Sequence, residues 1–268
     1  MPVFLLHHDD EPALEELLLD DPVQNLFLLG LLDAGVDRAA WYGIRAADGR
    51  IRATAMVLGP LCVPWAPNPA DARELGAHLA PRHTPDLVVG PREACDGVLA
   101  AWTRRTPATS FDQRLYTLAE PPSLPADLEV VRASHRHIRA ISALSAEMER
   151  EDLGRAPLDE RAHEARVRDR IADGRAWIHE DDGEIRFLIN VGTRHPFGCQ
   201  VGGTYVPPPF RRRGYGTRGM RAVCHALLAE HRLVTLHVNE ANTPAVRAYE
   251  RVGFVRAAPY RLVVMGAA

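Results

Sequence analysis

Two stretches in the second half of the chain combine residue types at spacings that can hold a phosphate and move a proton. The first is VPPPFRRRGYGTRGMRAVCHALLAEHR, Val206 to Arg232. Its three prolines end a β-type segment, because they cannot continue a central ladder, and a glycine-rich turn then opens an amphipathic helix. Arg211-x-x-Gly214-x-Gly216 places residues without a Cβ where the backbone folds tightly. Successive N–H groups then point into one concavity at a helix N-terminus, which suits a pyrophosphate. Five arginines between 205 and 229, with no acidic residue among them, add positive field. Gly214, Gly216 and Gly219 also spell the G-x-G-x-x-G of a dinucleotide-binding turn. Against that reading, the preceding strand ends in Pro and Arg, and no second half of a parallel sheet follows.

The second stretch is LVTLHVNEANTPAVRAYERVGF, Leu233 to Phe254. A strand ends at Val238 or Asn239, a short loop carries Asn242, and Pro244 sits in the first turn of a helix. Tyr249 and Phe254 follow. Together the two stretches resemble the GNAT superfamily of acyl-CoA-dependent N-acyltransferases. The pattern V-x-P-x-[FY]-R-x-x-G-x-G falls on Val206, Pro208, Phe210, Arg211, Gly214 and Gly216. The pattern L-x-V-x-x-x-N-x-x-A-x-x-x-Y-x-x-x-G-F falls on Leu236, Val238, Asn242, Ala245, Tyr249, Gly253 and Phe254.

The resemblance implies acetyl-CoA as cosubstrate, lying where two parallel strands splay apart after about Val206 and Val238. It gives the pyrophosphate to backbone amides from Arg211 through Arg212, Arg213, Gly214, Tyr215 and Gly216 to Thr217. The pantetheine arm runs along strand-edge amides with Asn242 assisting. Tyr249 is the implied acid and also faces the cosubstrate: a phenol with a reference pKa of about 10 stays protonated at neutral pH and can protonate a thiolate whose conjugate acid is near 8.5.

The implied base is open. Many relatives carry a Glu on the strand before the nest, but FGCQVGGTYV at 197–206 has no carboxylate, and Gln200 cannot serve. Candidates are Glu147, Glu149 and Glu151, expected on the loop after the first helix of the second half, and His237 on the strand toward the thioester, with His179 and His195 behind them. The run EMEREDLG at 147–154, if it borders the acceptor, favours a cationic substrate or a peptide N-terminus. The small residues Gly198, Gly202 and Gly203 leave room for acyl groups longer than acetyl.

Composition narrows the field. All 32 basic residues are Arg, which removes Schiff-base, pyridoxal-phosphate and P-loop lysine chemistry. A net charge of -3 argues against a nucleic-acid or membrane-surface binder. Cys62, Cys95, Cys199 and Cys224 form no C-x-x-C pair, which argues against zinc and against a disulfide framework and fits a reducing cytoplasm. The resemblance implies an amine-bearing small molecule or peptide as partner, and composition argues against metal, nucleic acid and membrane; monomer and homodimer stay equally open.

The elements that must position these residues fall in two runs of the same order. AEPPSLPAD at 119–127, with three prolines, reads as the linker between them in a chain of 268 residues. DGRIR at 48–52 and DGEIR at 182–186 each sit in a hairpin position a few residues after a Trp, Trp41 and Trp177. The expected fold is α/β (α+β): tandem GNAT-like mixed sheets flanked by helices, over 1–120 and 127–268. The first half lacks both motifs and reads APNPADARELG where a nest would fall, so only the second half is expected to hold the cosubstrate. The rival reading is a non-catalytic acyl-CoA sensor or interaction module.

Overall fold

The computed structural model describes residues 2–36, 38–103, 105–154 and 159–266. Two compact units emerge: Met1–Tyr116 with His237–Ala241 and Arg256–Ala268, and Thr117–Leu236 with Asn242–Val255. The linker at 119–127 lies close to the first chain crossing, but the last segment returns to the first unit rather than staying within 127–268.

The first unit runs β1 (Phe4–Leu5), α1 (Glu11–Leu19), α2 (Leu26–Asp33), β2 (Ala40–Arg45), β3 (Ile51–Leu58), β4 (Leu61–Trp65), α3 (Pro69–Leu79), β5 (Leu87–Pro91), α4 (Arg92–Leu99) and β6 (Pro107–Leu118). The second runs β7 (Val131–Arg132), α5 (Ile138–Leu153), α6 (Glu160–Ala172), β8 (Ala176–Asp181), β9 (Glu184–His195), β10 (Gly198–Tyr205), α7 (Tyr215–Leu228), β11 (Val234–Asn239) and α8 (Thr243–Val252). The closing strand, β12 (Val255–Met265), pairs antiparallel with β5 from Tyr260↔Pro91 to Val264↔Leu87. That ladder carries the end of the chain into the first unit: a strand goes where its unpaired amides find a partner edge.

The repeated order is real in three dimensions. In the first unit β2, β3 and β4 form antiparallel ladders and β4 pairs parallel with β5. In the second, β8, β9 and β10 do the same and β10 pairs parallel with β11. Both Asp-Gly echoes close the equivalent hairpin. Gly49 has φ +89°, and Asp182 and Gly183 have φ +52° and +76°, the left-handed pair that a two-residue hairpin turn needs.

In α7 the helical spacing does what the sequence predicts. Met220, Val223, Cys224 and Leu227 are buried on one face, where Met, Val and Leu side chains each contribute about 1.5–3 kcal/mol. Gly219 lets α7 approach β9, because a Cβ there would lie 2.6 Å from the ring of Phe187, a fully buried residue. The third glycine of the G-x-G-x-x-G spacing is thus a packing residue.

Candidate active site

The parallel ladder between β10 and β11 stops early. It pairs Cys199↔Val234, Gln200↔Thr235 and Val201↔Leu236, while β10 itself continues to Tyr205. On its other side β10 shifts register against β9 between Gly202 and Tyr205. Gly203 takes φ +59° there, and a Cβ on it would meet Asn190 Nδ2 at 2.6 Å, so this bulge requires glycine. The strand end therefore presents main-chain groups outside the regular ladder on both edges.

After β10 a short 3₁₀ turn at Pro208–Phe210 leads into α7. Arg212 has φ +62° and Gly214 φ +85°. This alternation of left-handed residues turns consecutive amides the same way. No side chain caps α7 at Gly214, and the first-turn amides of Tyr215, Gly216 and Thr217 have no helical acceptor by construction. Gly216 is the informative position. Its φ is not left-handed, and an added Cβ would meet only Val206 Cγ2 at 3.7 Å. Neither backbone nor packing requires glycine there.

The first unit shows the contrast. At the equivalent helix, α3, Asn68 Oδ1 accepts from Ala70 N at 2.9 Å and Pro69 opens the helix. Buried Asp71 stands in the first turn, paired with Arg52 at 2.8 Å. A side-chain cap and a fixed negative charge exclude an anion from that helix start.

The arginines divide by role. Arg211 spends its amide on Pro208 O at 3.3 Å, its Nε on Val206 O at 2.9 Å and its Nη2 on both oxygens of Glu151 at 3.0 and 2.7 Å. Arg211 is thus committed within the protein through its amide as well as its guanidinium. Arg218 and Arg221 hold Asp127 at 3.1 and 3.5 Å. Arg212 and Arg213 make no ion pair among the described residues, so the free positive field of the turn comes from two arginines, not five. Tyr215 accepts from Arg186 Nη1 at 3.0 Å and stacks on His179 at 5.5 Å.

Tyr249 is fixed by its helix. Asn242 caps α8, its Oδ1 accepting from Ala245 N at 3.2 Å, with Pro244 in the first turn. Gly253, at φ +112°, ends it, and Phe254 N donates to Tyr249 O at 3.1 Å. The Phe254 ring meets the Tyr249 ring edge-on at 6.1 Å. The Y-x-x-x-G-F signature is thus the helix stop that holds Tyr249. Its phenol is buried beside the Thr204 hydroxyl of β10; burial raises its pKa, against the lowering effect of that hydroxyl.

The candidate bases separate. Glu147 and Glu151 both face the Tyr205 hydroxyl, which donates to Glu151 Oε1 at 3.0 Å. Asp152, next in the run, has its carboxyl pushed up by burial and by Glu151. Glu149 alone among the acids of 147–154 lines a cavity of about 210 Å³ between α5, α6, β9 and β10. Gln200, Gly202 and Gly203 line it as well, whereas a Cβ at Gly198 would strike Leu233 O at 2.6 Å, so that glycine serves packing.

His163 of α6, which no spacing in the sequence singles out, also lines the cavity, with Nδ1 3.6 Å from Glu149 Oε1. It lies 3.1 Å from Ser142 O through Nε2. Since a carbonyl only accepts, Nε2 carries the proton and Nδ1 the lone pair when the ring is neutral.

His237 stands apart from this cavity. It belongs to the first unit and stacks on Tyr260 at 4.2 Å. Its Nε2 is shut off from solvent without a hydrogen-bond partner, and burial pulls its pKa down to about 4. That makes it a packing residue and a weak base. His195 accepts from Phe197 N at 3.1 Å in the β9–β10 turn.

A parallel strand pair that parts beside an uncapped helix start, followed by a helix carrying a buried tyrosine, defines a GNAT-type α+β domain. Residues 138–254 match the acetyltransferase (GNAT) family. The whole chain is similar in fold to a GNAT-family acetyltransferase from Colwellia psychrerythraea, with 12% identity, 99% of this chain and 100% of that one covered, and a TM-score of 0.63. A GCN5-related N-acetyltransferase from Sphaerobacter thermophilus gives 18%, 99%, 96% and 0.62. A tandem GNAT protein from the clavulanic acid biosynthesis pathway gives 16%, 99%, 99% and 0.59. No curated protein matches the sequence.

Among the described residues no cluster of three or more His, Cys, Asp or Glu is placed to hold a metal ion, and no helix is long and apolar enough to cross a membrane.

Proposed function

We propose that the chain is an acetyl-CoA-dependent N-acetyltransferase that acetylates a primary amine of a small molecule or peptide by direct attack in a ternary complex. The observation that carries this reading is the uncapped helix start at Gly214, followed by Gly216, a glycine that neither backbone nor packing requires. The amides from Arg212 to Thr217 hold the diphosphate, with Arg212 and Arg213 adding charge. The β10 main chain beyond Val201 lies along the pantetheine arm. Asn242 has its Nδ2 left for that arm, because Oδ1 is committed to the helix cap.

The acceptor enters the cavity lined by Glu149 and His163. A carboxylate beside an imidazole lone pair suits an ammonium that must become a nucleophile, and this pair takes the protons that the nitrogen sheds. The nitrogen bonds to the acetyl carbon as the carbon–sulfur bond breaks. Amides at the Gly202–Tyr205 bulge face the charge that grows on the carbonyl oxygen. Tyr249 gives its phenolic proton to the departing sulfur and is reprotonated from water.

The deciding experiment is thiol release from acetyl-CoA over a panel of amines, with calorimetry of acetyl-CoA binding alongside. Amine-dependent release supports the enzyme. Saturable binding with no release by any amine favours the sensor reading, for which Gln200 in place of a carboxylate speaks. Absence of binding at millimolar acetyl-CoA sinks both.

A further inference from the structure

The cavity between α5, α6, β9 and β10 is not the acidic pocket that the run at 147–154 predicts. Its lining carries Arg166 and Arg170, one helical turn apart on α6, against the single carboxylate of Glu149. Neither arginine side chain makes a hydrogen bond or an ion pair among the described residues. Burial and the neighbouring Arg175 and Arg166 guanidiniums lower the pKa of Arg170, Glu149 opposing. Arg166 is exposed and Arg170 half-buried, so both guanidiniums line the cavity while still reaching solvent. On α5 and β9, Ser145 and Asn190 are 3% and 7% exposed, and Ser145 Oγ and Asn190 Oδ1 have no hydrogen-bond partner. Asn190 Oδ1 only accepts, so it calls for a donor from a ligand.

We propose that this cavity recognises an acceptor carrying a carboxylate close to its amine, an amino-acid-like zwitterion, with Arg170 and Arg166 on the carboxylate and Asn190, Ser145 and Glu149 around the ammonium. Two cations, one carboxylate and unpartnered acceptors in a single cavity match the two charges of such a molecule. A purely cationic polyamine would leave both arginines unpaired and repelled. The proposal rests on the acyl-transfer reading for the chemistry after binding, but the recognition itself does not.

The test is calorimetry on the full-length protein without acetyl-CoA. The probes are glycine, alanine, glutamate and aspartate, each beside its α-amide, with putrescine as the cationic control. At least one acid should bind about ten-fold or more tighter than its amide, the scale of one lost charge-assisted contact. Arg170→Gln should remove that preference while leaving the amide's affinity within about two-fold, and Arg170→Lys should keep part of it. Equal binding of acid and amide, preference for putrescine, or no acid bound at about 10 mM overturns the proposal. Acetyl-CoA titrated separately distinguishes the two failures. If it binds while no acid does, the acceptor class is wrong and the transferase reading stands. If an acid binds and acetyl-CoA does not, the transferase reading falls and the zwitterion site stands. Should Arg170→Gln not fold, Asn190→Leu tests the other end and should weaken acid and amide alike.

Discussion

Glu151 holds Arg211 through both carboxylate oxygens while accepting from Tyr205, so the end of α5 is tied to the residue that leads into the phosphate nest. This clamp sits at about 40% exposure on both partners, where an ion pair contributes about 1 kcal/mol or less to stability. Its use is geometric. Glu151→Ala should lower the melting temperature little yet weaken acetyl-CoA binding several-fold, measured by calorimetry beside a thermal melt. A large melting shift with unchanged affinity would show the clamp to be merely structural.

Gly214, Gly216 and Gly219 should respond in three different ways. Gly216→Ala has room in the fold and should leave stability within about 0.5 kcal/mol while reducing acetyl-CoA affinity. Gly214→Ala forces a Cβ into φ +85° and should cost about 1–2 kcal/mol. Gly219→Ala meets the Phe187 ring at 2.6 Å and should cost about 1–3 kcal/mol by overpacking. Urea melts and cofactor titrations on the three variants give the comparison.

Tyr249→Phe should slow turnover at least ten-fold with the acetyl-CoA dissociation constant nearly unchanged, because only a transition-state proton is lost. The pH profile adds a second reading. Tyr249 acts protonated and burial raises its pKa, so the turnover of the parent protein should fall only above about pH 10. That alkaline limb should be missing from the residual activity of the variant.

Acid stability should depend on His237. Its folded pKa of about 4 lies below the usual 6.5, so the unfolded chain takes up a proton first as pH drops. Stability is then complete above pH 6.5 and is lost progressively as pH falls toward 4, by about 3 kcal/mol at most. His237→Phe, which keeps the stack on Tyr260, should flatten denaturant midpoints between pH 6.5 and 4. A variant as acid-sensitive as the parent would place the titration elsewhere.

His163→Gln should separate the bases. With Glu149 intact, acyl transfer should fall while acetyl-CoA affinity holds. An unchanged turnover would remove His163 from proton transfer.

The sequence alone determined whatever short range encodes. Proline and glycine punctuation marked the end of β10, the nest and the stop after Tyr249, because backbone dihedrals and helix caps are properties of a few adjacent residues. The spacing of Met220, Val223, Cys224 and Leu227 marked the face of α7 that packs. It also marked the first half as lacking a nest motif, since APNPADARELG holds no glycine-rich turn.

Tertiary structure decided which of the chemically capable side chains share a space. Glu147, Glu149 and Glu151 are indistinguishable in sequence, yet a helix turns only about one residue in three or four toward a given neighbour. Glu149 therefore reaches the cavity while the other two meet Tyr205. His163 and Arg170 on α6 and Asn190 on β9 have no motif joining them, so nothing local announces their meeting. The same holds for the last strand, whose residues pack with the first unit because β5 offers its edge, a partnership set at a separation of more than 160 residues.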